Sequence, residues 1–296
     1  MTAPRVPVTA AVAACDRPAA LVRCLDAIFS GEALPEEVVV VDQSRDGSVA
    51  DALAASPPRS VPVRYVQQTR RGLSASRNGA LALAGQAIVA FTDDDCAPSA
   101  GWILTVHRVL AAEPELAAVT GRVLPLGEAE PDTHVVSPRA STRARVYRGR
   151  AVPWRVGTGG NLAARREWLE LIDGFDERLG AGSPGHAAED AELLYRLLLA
   201  GARIKYEPDS LVYHERQTAA QRLASRSGYG HGIGALCALY LRKGDPYAGV
   251  MLGSYLRGAG PGLARAVAHR DWFMARQLLL SLRGCARGFG YGLRVR

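Results

Sequence analysis

A short apolar run that ends on three adjacent carboxylates most constrains the fold of this 296-residue chain. Residues 87–96 read AIVAFTDDDC, so hydrophobic side chains give way at once to Asp93, Asp94 and Asp95. Such a run is typical of a buried strand in a parallel sheet, and ligands of open α/β sheets bind beyond the carboxyl ends of these strands. Because neighbouring carboxylates repel one another and resist burial, the triplet indicates bound Mg²⁺ or Mn²⁺. A solvated acidic turn is the alternative.

Strand and helix patterns alternate four times in the first hundred residues. Strands are predicted at 8–14, 38–41, 63–67 and 87–91, and the intervening helices include 18–29 and 73–84. This alternation predicts an α/β fold with a mostly parallel central sheet flanked by helices. Residues 121–154 show no clear period, which predicts loops or short antiparallel strands. A helix at 188–200, a strand at 203–206 and a glycine-interrupted helical region beyond residue 218 follow.

Charge is spread unevenly along the chain. The net charge is +7, but residues 218–296 carry twelve Lys or Arg against Asp245 and Asp271, whereas residues 1–217 are mildly acidic. A basic C-terminal region predicts contact with something anionic, such as phospholipid headgroups or a phosphorylated carrier. Nucleic acid is not expected as a partner, because the region has no zinc-finger spacing and no RNA-binding signature. A hydrophobic content of 48% excludes general disorder.

Cysteine usage and the apolar segments bear on location. Five widely spaced cysteines without a CxxC pair predict neither a zinc site nor a disulfide framework. The apolar residues 6–15 lack a preceding basic region and a cleavage pattern, so they predict a first strand, and no run is long enough to span a bilayer. We expect a cytoplasmic protein. Residues 272–283, WFMARQLLLSLR, form a basic amphipathic element that predicts peripheral contact at the inner face of the membrane, packing on the catalytic domain or a homodimer contact.

Seven sequence blocks together resemble the family 2 glycosyltransferases. In chain order they read VVVVDQSRDGS, RRGLSASRNGAL, FTDDDC, GTGGNLAARRE, GFDERLG, AEDAELLYRLLLAG and YEPDSLVYHE. The resemblance covers residues 8 to about 216. It implies a GT-A catalytic domain at 1–217, with a nucleotide-sugar half at about 1–100 and an acceptor half at about 101–217. The basic helical region at 218–296 is then an appendage.

The resemblance also implies a reaction. A hexose-type sugar would pass with inversion from a nucleotide diphosphate-sugar to a hydroxyl or amine, with Mn²⁺ or Mg²⁺ as cofactor. A UDP-sugar is the expected donor, with GDP- and dTDP-sugars as alternatives, and the acceptor is a sugar, a lipid-linked molecule or a small molecule. Ala13 and Cys15 stand where relatives often carry a hydroxyl and an aromatic, and the block that begins at Asp42, DQSRDGS, is one residue shorter than the family's frequent DDGSxDGT form, so the donor's base stays open.

Donor-binding roles follow from the matching blocks. The resemblance implies that Asp42 holds the nucleobase and that Arg71 or Arg77 contacts phosphate or base. Asp93 and Asp95 correspond to the DxD acids, with Asp93 near the ribose and the metal and Asp95 as a metal ligand. From the residues alone, Asp42 is also consistent with a turn cap and either arginine with a solvated helix face.

The central acid Asp94 either assists or points elsewhere. The glycine-rich turn that includes Gly160 and Asn161 is expected to form the floor of the sugar and acceptor pocket. Its neighbour Trp154 either stacks on a sugar or belongs to the core.

The last blocks supply the acid–base and remaining metal residues. The resemblance implies that Asp190 is the general base, with Glu189 as support or acceptor contact, and that His214 adds a metal ligand or a phosphate contact. From the residues alone, acids at a helix start are also consistent with partners of the helix dipole, and a lone histidine is also consistent with a structural role.

Two other functions fit parts of the pattern. A sugar nucleotidyltransferase would share a related sheet, but residues 13–18 lack the glycine-rich basic loop that holds a triphosphate. A sugar-nucleotide-binding protein without activity is the second alternative, although both acid pairs are present in this chain.

Overall fold

The computed structural model describes residues 3–69, 71–136 and 138–295. Arg70 of the second block therefore lies outside the described residues. The strands are β1 Arg5–Ala14, β2 Leu34–Asp42, β3 Val63–Gln67, β4 Ile88–Asp93, β5 Cys96–Pro98, β6 Leu116–Pro125, β7 Thr133–His134, β8 Arg145–Tyr147, β9 Leu162–Arg165, β10 Arg203–His214 and β11 Gln217–Thr218. The helices are α1 Pro18–Phe29, α2 Ser48–Ala55, α3 Leu73–Leu83, α4 Trp102–Ala112, α5 Arg166–Leu171, α6 Glu189–Leu199, α7 Ala219–Arg242, α8 Tyr247–Ala268 and α9 Trp272–Arg294.

A single large sheet organises the first 214 residues. Its strand order is β3-β2-β1-β4-β9-β6-β10-β5, with β8 added beside β10, while β7 and β11 form a separate small ribbon. The four strands β3, β2, β1 and β4 are parallel, as are β6 and β10. Helices between the parallel strands bury their apolar faces on the sheet, as α1 does with Leu21, Leu25 and Ile28. The predicted α/β class with a mostly parallel sheet is confirmed.

Strand register brings two predicted acids to one edge of the sheet. On β1, Ala14 pairs with Asp42 of β2, and Ala13 pairs with Asp93 of β4. Since parallel strands point the same way, both acids lie at the carboxyl edge, where open α/β sheets bind ligands.

The prediction of loops or short antiparallel strands for residues 121–154 is wrong for residues 121–125, which belong to the long strand β6 and pair in parallel with β10. Strand β6 extends to Pro125 and is almost fully buried, so it lacks the polar alternation of a half-exposed strand. Gly121 also weakens the pattern, but a Cβ there would run into the carbonyl of Ser210 on β10, so the close strand contact requires glycine.

The strand predicted at 203–206 is also too short. Strand β10 continues to His214 through a register shift between Glu207 and Leu211. The sequence Pro208-Asp209-Ser210 resembles a turn, yet it forms a bulge within the strand. As a consequence, His214 ends a sheet strand and its position is set by strand pairing.

The C-terminal region is helical, as predicted, and Gly244, with a φ of 77°, lies between α7 and α8, but the other glycines of residues 218–295 lie inside helices. Gly230 and Gly234 of α7 lie against the backbone of Ser281 and Cys285 on α9, where a Cβ would find no room. Tyr240 of α7 donates a hydrogen bond of 2.8 Å to Glu192 on α6, which fastens the region to the sheet domain. None of the helices in the described ranges is both long and apolar enough to cross a bilayer.

Candidate active site

Two strand ends bring Asp95 and His214 together. Antiparallel pairing sets His214 opposite Cys96, and the amide of Glu215 donates to the carbonyl of Asp95 at 2.9 Å. The Nε2 atom of His214 lies 3.5 Å from Oδ1 of Asp95. Sheet register therefore brings together a carboxylate and an imidazole that are far apart in the sequence.

The imidazole of His214 is oriented for a metal ion. Its Nδ1 lies 2.8 Å from the carbonyl oxygen of Glu215, which can only accept, so Nδ1 carries a proton, and in the neutral imidazole the lone pair of Nε2 faces Asp95. One ligand atom each of Asp95, Cys96 and His214 lies within 4.8 Å of the others. Burial raises the pKa of the Cys96 thiol well above its usual value, so this thiol stays protonated and is a poor ligand. The nitrogen and carboxylate donors that remain fit Mn²⁺ or Mg²⁺.

Arg17 is a site residue that sequence reasoning missed. Its guanidinium pairs with Asp95 and, at 2.9 Å, with Asp94. Asp94 is buried and accepts a hydrogen bond of 3.1 Å from the amide of Cys15. Burial raises the pKa of Asp94 to about 7, against the opposing charge of Arg17. Asp94 thus faces the end of β1, and an assisting role for it stays a prediction.

Arg77 bridges the two predicted acid clusters. Its side chain is 2% exposed, with Nη2 2.7 Å from Asp93 Oδ1 and Nη1 2.9 Å from Glu189 Oε1. Burial disfavours the charged forms of both Arg77 and Asp93, but their mutual attraction outweighs this effect. The pKa of Arg77 is therefore raised above its usual value, and the pKa of Asp93 is lowered below its usual value. Each terminal nitrogen of Arg77 donates one of its two N–H groups to an acid, and Nε has no hydrogen-bond partner among the described residues, so contact between Arg77 and a phosphate stays a prediction. Arg71 lies on the exposed loop before α3.

The two acids at the start of α6 lie in different environments. Glu189 is buried beside Arg77, and burial followed by the charge of Asp190 raises the pKa of Glu189. Asp190 is half-buried and lines the cavity described below. Its Oδ2 accepts the amide of Gly159 and its Oδ1 that of Ala191, each at 2.7 Å. A carboxylate has about four lone-pair positions, so Asp190 retains capacity to accept from a hydroxyl.

The glycine-rich turn at 157–160 lets backbone approach both acid clusters. A Cβ on Gly159 would lie 2.5 Å from Nη1 of Arg77, and one on Gly160 would lie 3.2 Å from Oδ2 of Asp93. Asn161 is buried beneath this turn and does not line the cavity. Its Oδ1 accepts from Trp102 and Ser210, and its Nδ2 donates to two backbone carbonyls, so all its polar atoms serve the fold.

Asp42 lies at the same sheet edge but is fully buried. Its Oδ1 accepts from the amide and hydroxyl of Ser44 at 2.8 and 2.6 Å, and its Oδ2 accepts from Tyr65 at 2.9 Å. It is not among the described residues that line the cavity. Contact between Asp42 and a nucleobase stays a prediction, since it requires Tyr65 or Ser44 to share the carboxylate.

A cavity of about 500 Å³ joins these groups. Asp93, Arg77, Glu189, Asp190 and His214 all line it, together with the glycine turn and Trp154. The C-terminal helices close the other side with Arg226, Tyr229 and Ile233 of α7 and Tyr255 of α8. Sequence reasoning missed these residues because no local pattern shows which face of a helix meets a distant strand end.

Comparison of the sequence with known proteins gives a family match. The sequence profile described as glycosyl transferase family 2 matches residues 9–172. A pre-mycofactocin glycosyltransferase of Mycobacterium tuberculosis is 29% identical over 203 residues, which are 66% of this chain and 42% of that protein. This chain therefore spans less than half of that relative.

Solved structures extend the likeness to most of the chain. Mannosyltransferase PcManGT from Pyrobaculum calidifontis, in complex with GDP-Man and Mn²⁺, superposes with a TM-score of 0.63 at 20% identity and covers 95% of this chain and 87% of that one. Residues 1–349 of TarS from S. aureus, in complex with UDP-GlcNAc, superpose with a TM-score of 0.60 at 15% identity and cover 94% and 92%. At these identities the likeness concerns the fold, which is that of GT-A glycosyltransferases.

Proposed function

The chain belongs to glycosyl transferase family 2, and from this premise we propose that it is an inverting, metal-dependent enzyme. It would move a hexose-type sugar from a nucleotide diphosphate-sugar to a hydroxyl or amine acceptor. One observation carries the proposal: Asp93, the adjacent pair Glu189 and Asp190, and His214 come from three distant parts of the sequence and line the same cavity.

In the proposed reaction, the acceptor oxygen or nitrogen attacks the anomeric carbon on the face opposite the diphosphate. The bond from that carbon to the phosphate oxygen breaks, and Asp190 takes the proton of the attacking group. The half-buried position of Asp190 and its free lone pairs support this role, whereas Glu189 is committed to Arg77. A single displacement of this kind needs no covalent intermediate.

Asp95 and His214 would hold Mn²⁺ or Mg²⁺, with Asp93 beside them toward the ribose. Such an ion would offset the negative charge that gathers on the departing diphosphate. The protonated Nδ1 of His214 and the Mn²⁺ in the PcManGT complex support a metal site here. Since the neighbouring complexes hold GDP-Man and UDP-GlcNAc, they leave the base open, and we retain a UDP-sugar as the first donor to test.

The C-terminal region would add a peripheral membrane contact. Leu256, Val267 and Trp272 are exposed, the last by 65%, and Arg257 and Arg270 stand beside them in sequence. Exposed apolar side chains next to arginines suit an anionic lipid surface. Sedimentation with vesicles containing phosphatidylglycerol tests this contact. A homodimer is the competing outcome, seen as a doubled mass in light scattering without vesicle binding.

A donor panel tests the proposed function. Purified protein is incubated with UDP-, GDP- and dTDP-sugars, with Mn²⁺, with Mg²⁺ or with a chelator, and nucleotide diphosphate release is measured without acceptor. We expect slow hydrolysis of one donor that the chelator abolishes. A protein that binds a donor in a thermal-shift screen but never releases diphosphate, with any acceptor offered, would instead be the inactive sugar-nucleotide-binding protein.

A further inference from the structure

The stretch between β7 and the glycine turn contains many arginines that the proposed reaction leaves unused. Residues 133–166 contain no Asp or Glu. Four arginines of this stretch, with two tyrosines, line a groove of about 570 Å³, here called the arginine groove: Arg139, Arg143, Arg145, Arg155, Tyr147 and Tyr206. No acidic side chain is among the described residues that line it. A groove with four cations and no acid has a strongly positive field.

Strand pairing and side-chain hydrogen bonds fix the backbone that lines the arginine groove. Strand β8 pairs with β10, and Arg145 lies over the ring of Tyr147 at 4.9 Å. Tyr147 donates to the carbonyl of Arg155 at 2.7 Å, and Tyr206 to that of Ser141 at 2.9 Å. The arginines are therefore carried on a paired strand and on hydrogen-bonded backbone.

Arg139 joins the arginine groove to the active-site cavity, because it lines both. Its backbone is fixed by two hydrogen bonds to Val123, of 2.8 and 3.0 Å. Its Nε and Nη2 are buried, and neither has a hydrogen-bond partner among the residues that the structure describes. Burial lowers the pKa of the Arg139 guanidinium, and the negative charge of Asp190 acts in the opposite direction. A buried guanidinium with unpaired N–H groups is costly unless a ligand satisfies them.

The position of Arg139 favours the acceptor over the donor. Asp93 and His214 line the donor side of the cavity, with Asp95 beside His214, whereas Arg139 is close enough to the proposed base Asp190 for their charges to interact. The acceptor must approach Asp190 to lose its proton. A group attached to the acceptor would then extend past Arg139 into the groove.

We propose that the acceptor carries an anionic group, a carboxylate or a phosphate, that Arg139 and the arginine groove bind while its nucleophile faces Asp190. This inference rests on the proposed function and deepens it by naming the acceptor class. A guanidinium binds either anion through paired N–H groups, so both share the same chemistry.

Matched probes test the proposal. The probes are methyl glucoside, methyl glucuronide and methyl glucoside 6-phosphate, which share one sugar ring and differ in one substituent. Their dissociation constants are measured by calorimetry with UDP and Mn²⁺ present. Differences between these constants report the contribution of the anionic group to binding. We expect an anionic probe to bind at least about tenfold more tightly than the neutral one at low salt, and the preference to shrink as salt rises. Comparison of the two anionic probes identifies carboxylate or phosphate.

Substitutions of arginines show which residues bind the anionic group. Arg139→Gln should weaken the favoured anionic probe at least about fivefold and leave the neutral probe within twofold, and Arg143→Gln with Arg145→Gln should weaken the anionic probe further. Arg108→Gln, an exposed arginine on α4 outside both cavities, is the matched control. Equal binding of all three probes would overturn the proposal, as would a loss of UDP affinity in Arg139→Gln as large as the loss of probe affinity.

Donor hydrolysis by the wild-type protein separates the two proposals. If no donor is hydrolysed under any condition, the proposed function fails, while the probe affinities still decide whether the groove binds anions. If a donor is hydrolysed but the probes bind alike, only the acceptor class is wrong.

Discussion

The Nη2 atom of Arg77 lies 2.7 Å from Oδ1 of Asp93, and the same guanidinium also holds Glu189. The donor side and the base side of the site are therefore joined through one buried cation. Without it, the buried carboxylate of Glu189 and the half-buried carboxylate of Asp93 would lose their shared counter-charge, next to Asp190.

Replacement of this cation should damage both stability and activity. We expect Arg77→Met to lower the free energy of unfolding by about 3–5 kcal/mol, because it leaves the buried Glu189 and the half-buried Asp93 without this ion pair. Urea unfolding measures this change. Arg108→Met, on the exposed face of α4, is the control and should stay within about 0.5 kcal/mol of wild type. A loss below about 1 kcal/mol in Arg77→Met would contradict the bridging role.

Removal of the imidazole at the end of β10 should weaken metal binding. We expect His214→Ala to raise the dissociation constant for Mn²⁺, measured with UDP present, by about 10–100-fold, because a ligand oriented by Glu215 is lost. His269→Ala changes an exposed histidine at the end of α8 and should leave Mn²⁺ affinity unchanged. Equal affinities in the two variants would remove His214 from the metal site.

A methyl group on the glycine turn should displace Arg77. In Gly159→Ala the new Cβ would lie 2.5 Å from Arg77 Nη1, so we expect a loss of stability and of donor hydrolysis together. The same substitution at Gly258, within α8 and with open space around it, should stabilise the protein by about 0.5–1 kcal/mol through helix propensity. Thermal unfolding and diphosphate release compare the two. A fully active Gly159→Ala variant would contradict this geometry.

Burial of Asp94 predicts a pH-dependent stability of the metal-free protein. The folded-state pKa of about 7 exceeds the ordinary value of about 3.9, so between these values the folded protein binds a proton that the unfolded chain does not. The contribution of this group to stability is thus fully present below pH 4 and is lost as the pH rises through 7. Asp94→Asn cannot ionise and keeps an acceptor for the amide of Cys15.

The stability difference between Asp94→Asn and wild type should therefore grow in favour of the variant from pH 5 to pH 8, by up to about 3 kcal/mol, because about two pH units of the shift lie above pH 5. Urea unfolding with chelator present measures it. A difference that stays constant with pH would show that Asp94 is not held protonated by burial.

Much of the fold was predictable because its signals are local. The apolar runs before Asp42 and Asp93 and the helix at Pro18–Phe29 follow from residue periodicity, and chain alternation predicted the parallel sheet. Strand β6 and the end of β10 were missed, since full burial removes alternation and a bulge resembles a turn.

Only those site residues that belong to motifs at the ends of strands and helices could be predicted from the sequence. Resemblance named Asp93, Asp95, Asp190 and His214, and the structure brings them near one cavity. Arg17 and Arg139 were missed, because their role depends on which loops meet across the sheet edge. For Asn161, no sequence signal distinguishes a sugar contact from the buried hydrogen-bonding role it has here.

The most direct test of the account is the turnover of Asp190→Asn, measured beside its affinity for nucleotide and Mn²⁺. With the donor that the panel identifies, transfer should fall by about 10²–10⁴-fold while the dissociation constant for UDP or the matching nucleotide stays within about threefold. Asp51→Asn, an exposed acid on α2, should match wild type in both. Transfer by Asp190→Asn at a near wild-type rate would contradict the assignment of Asp190 as the base.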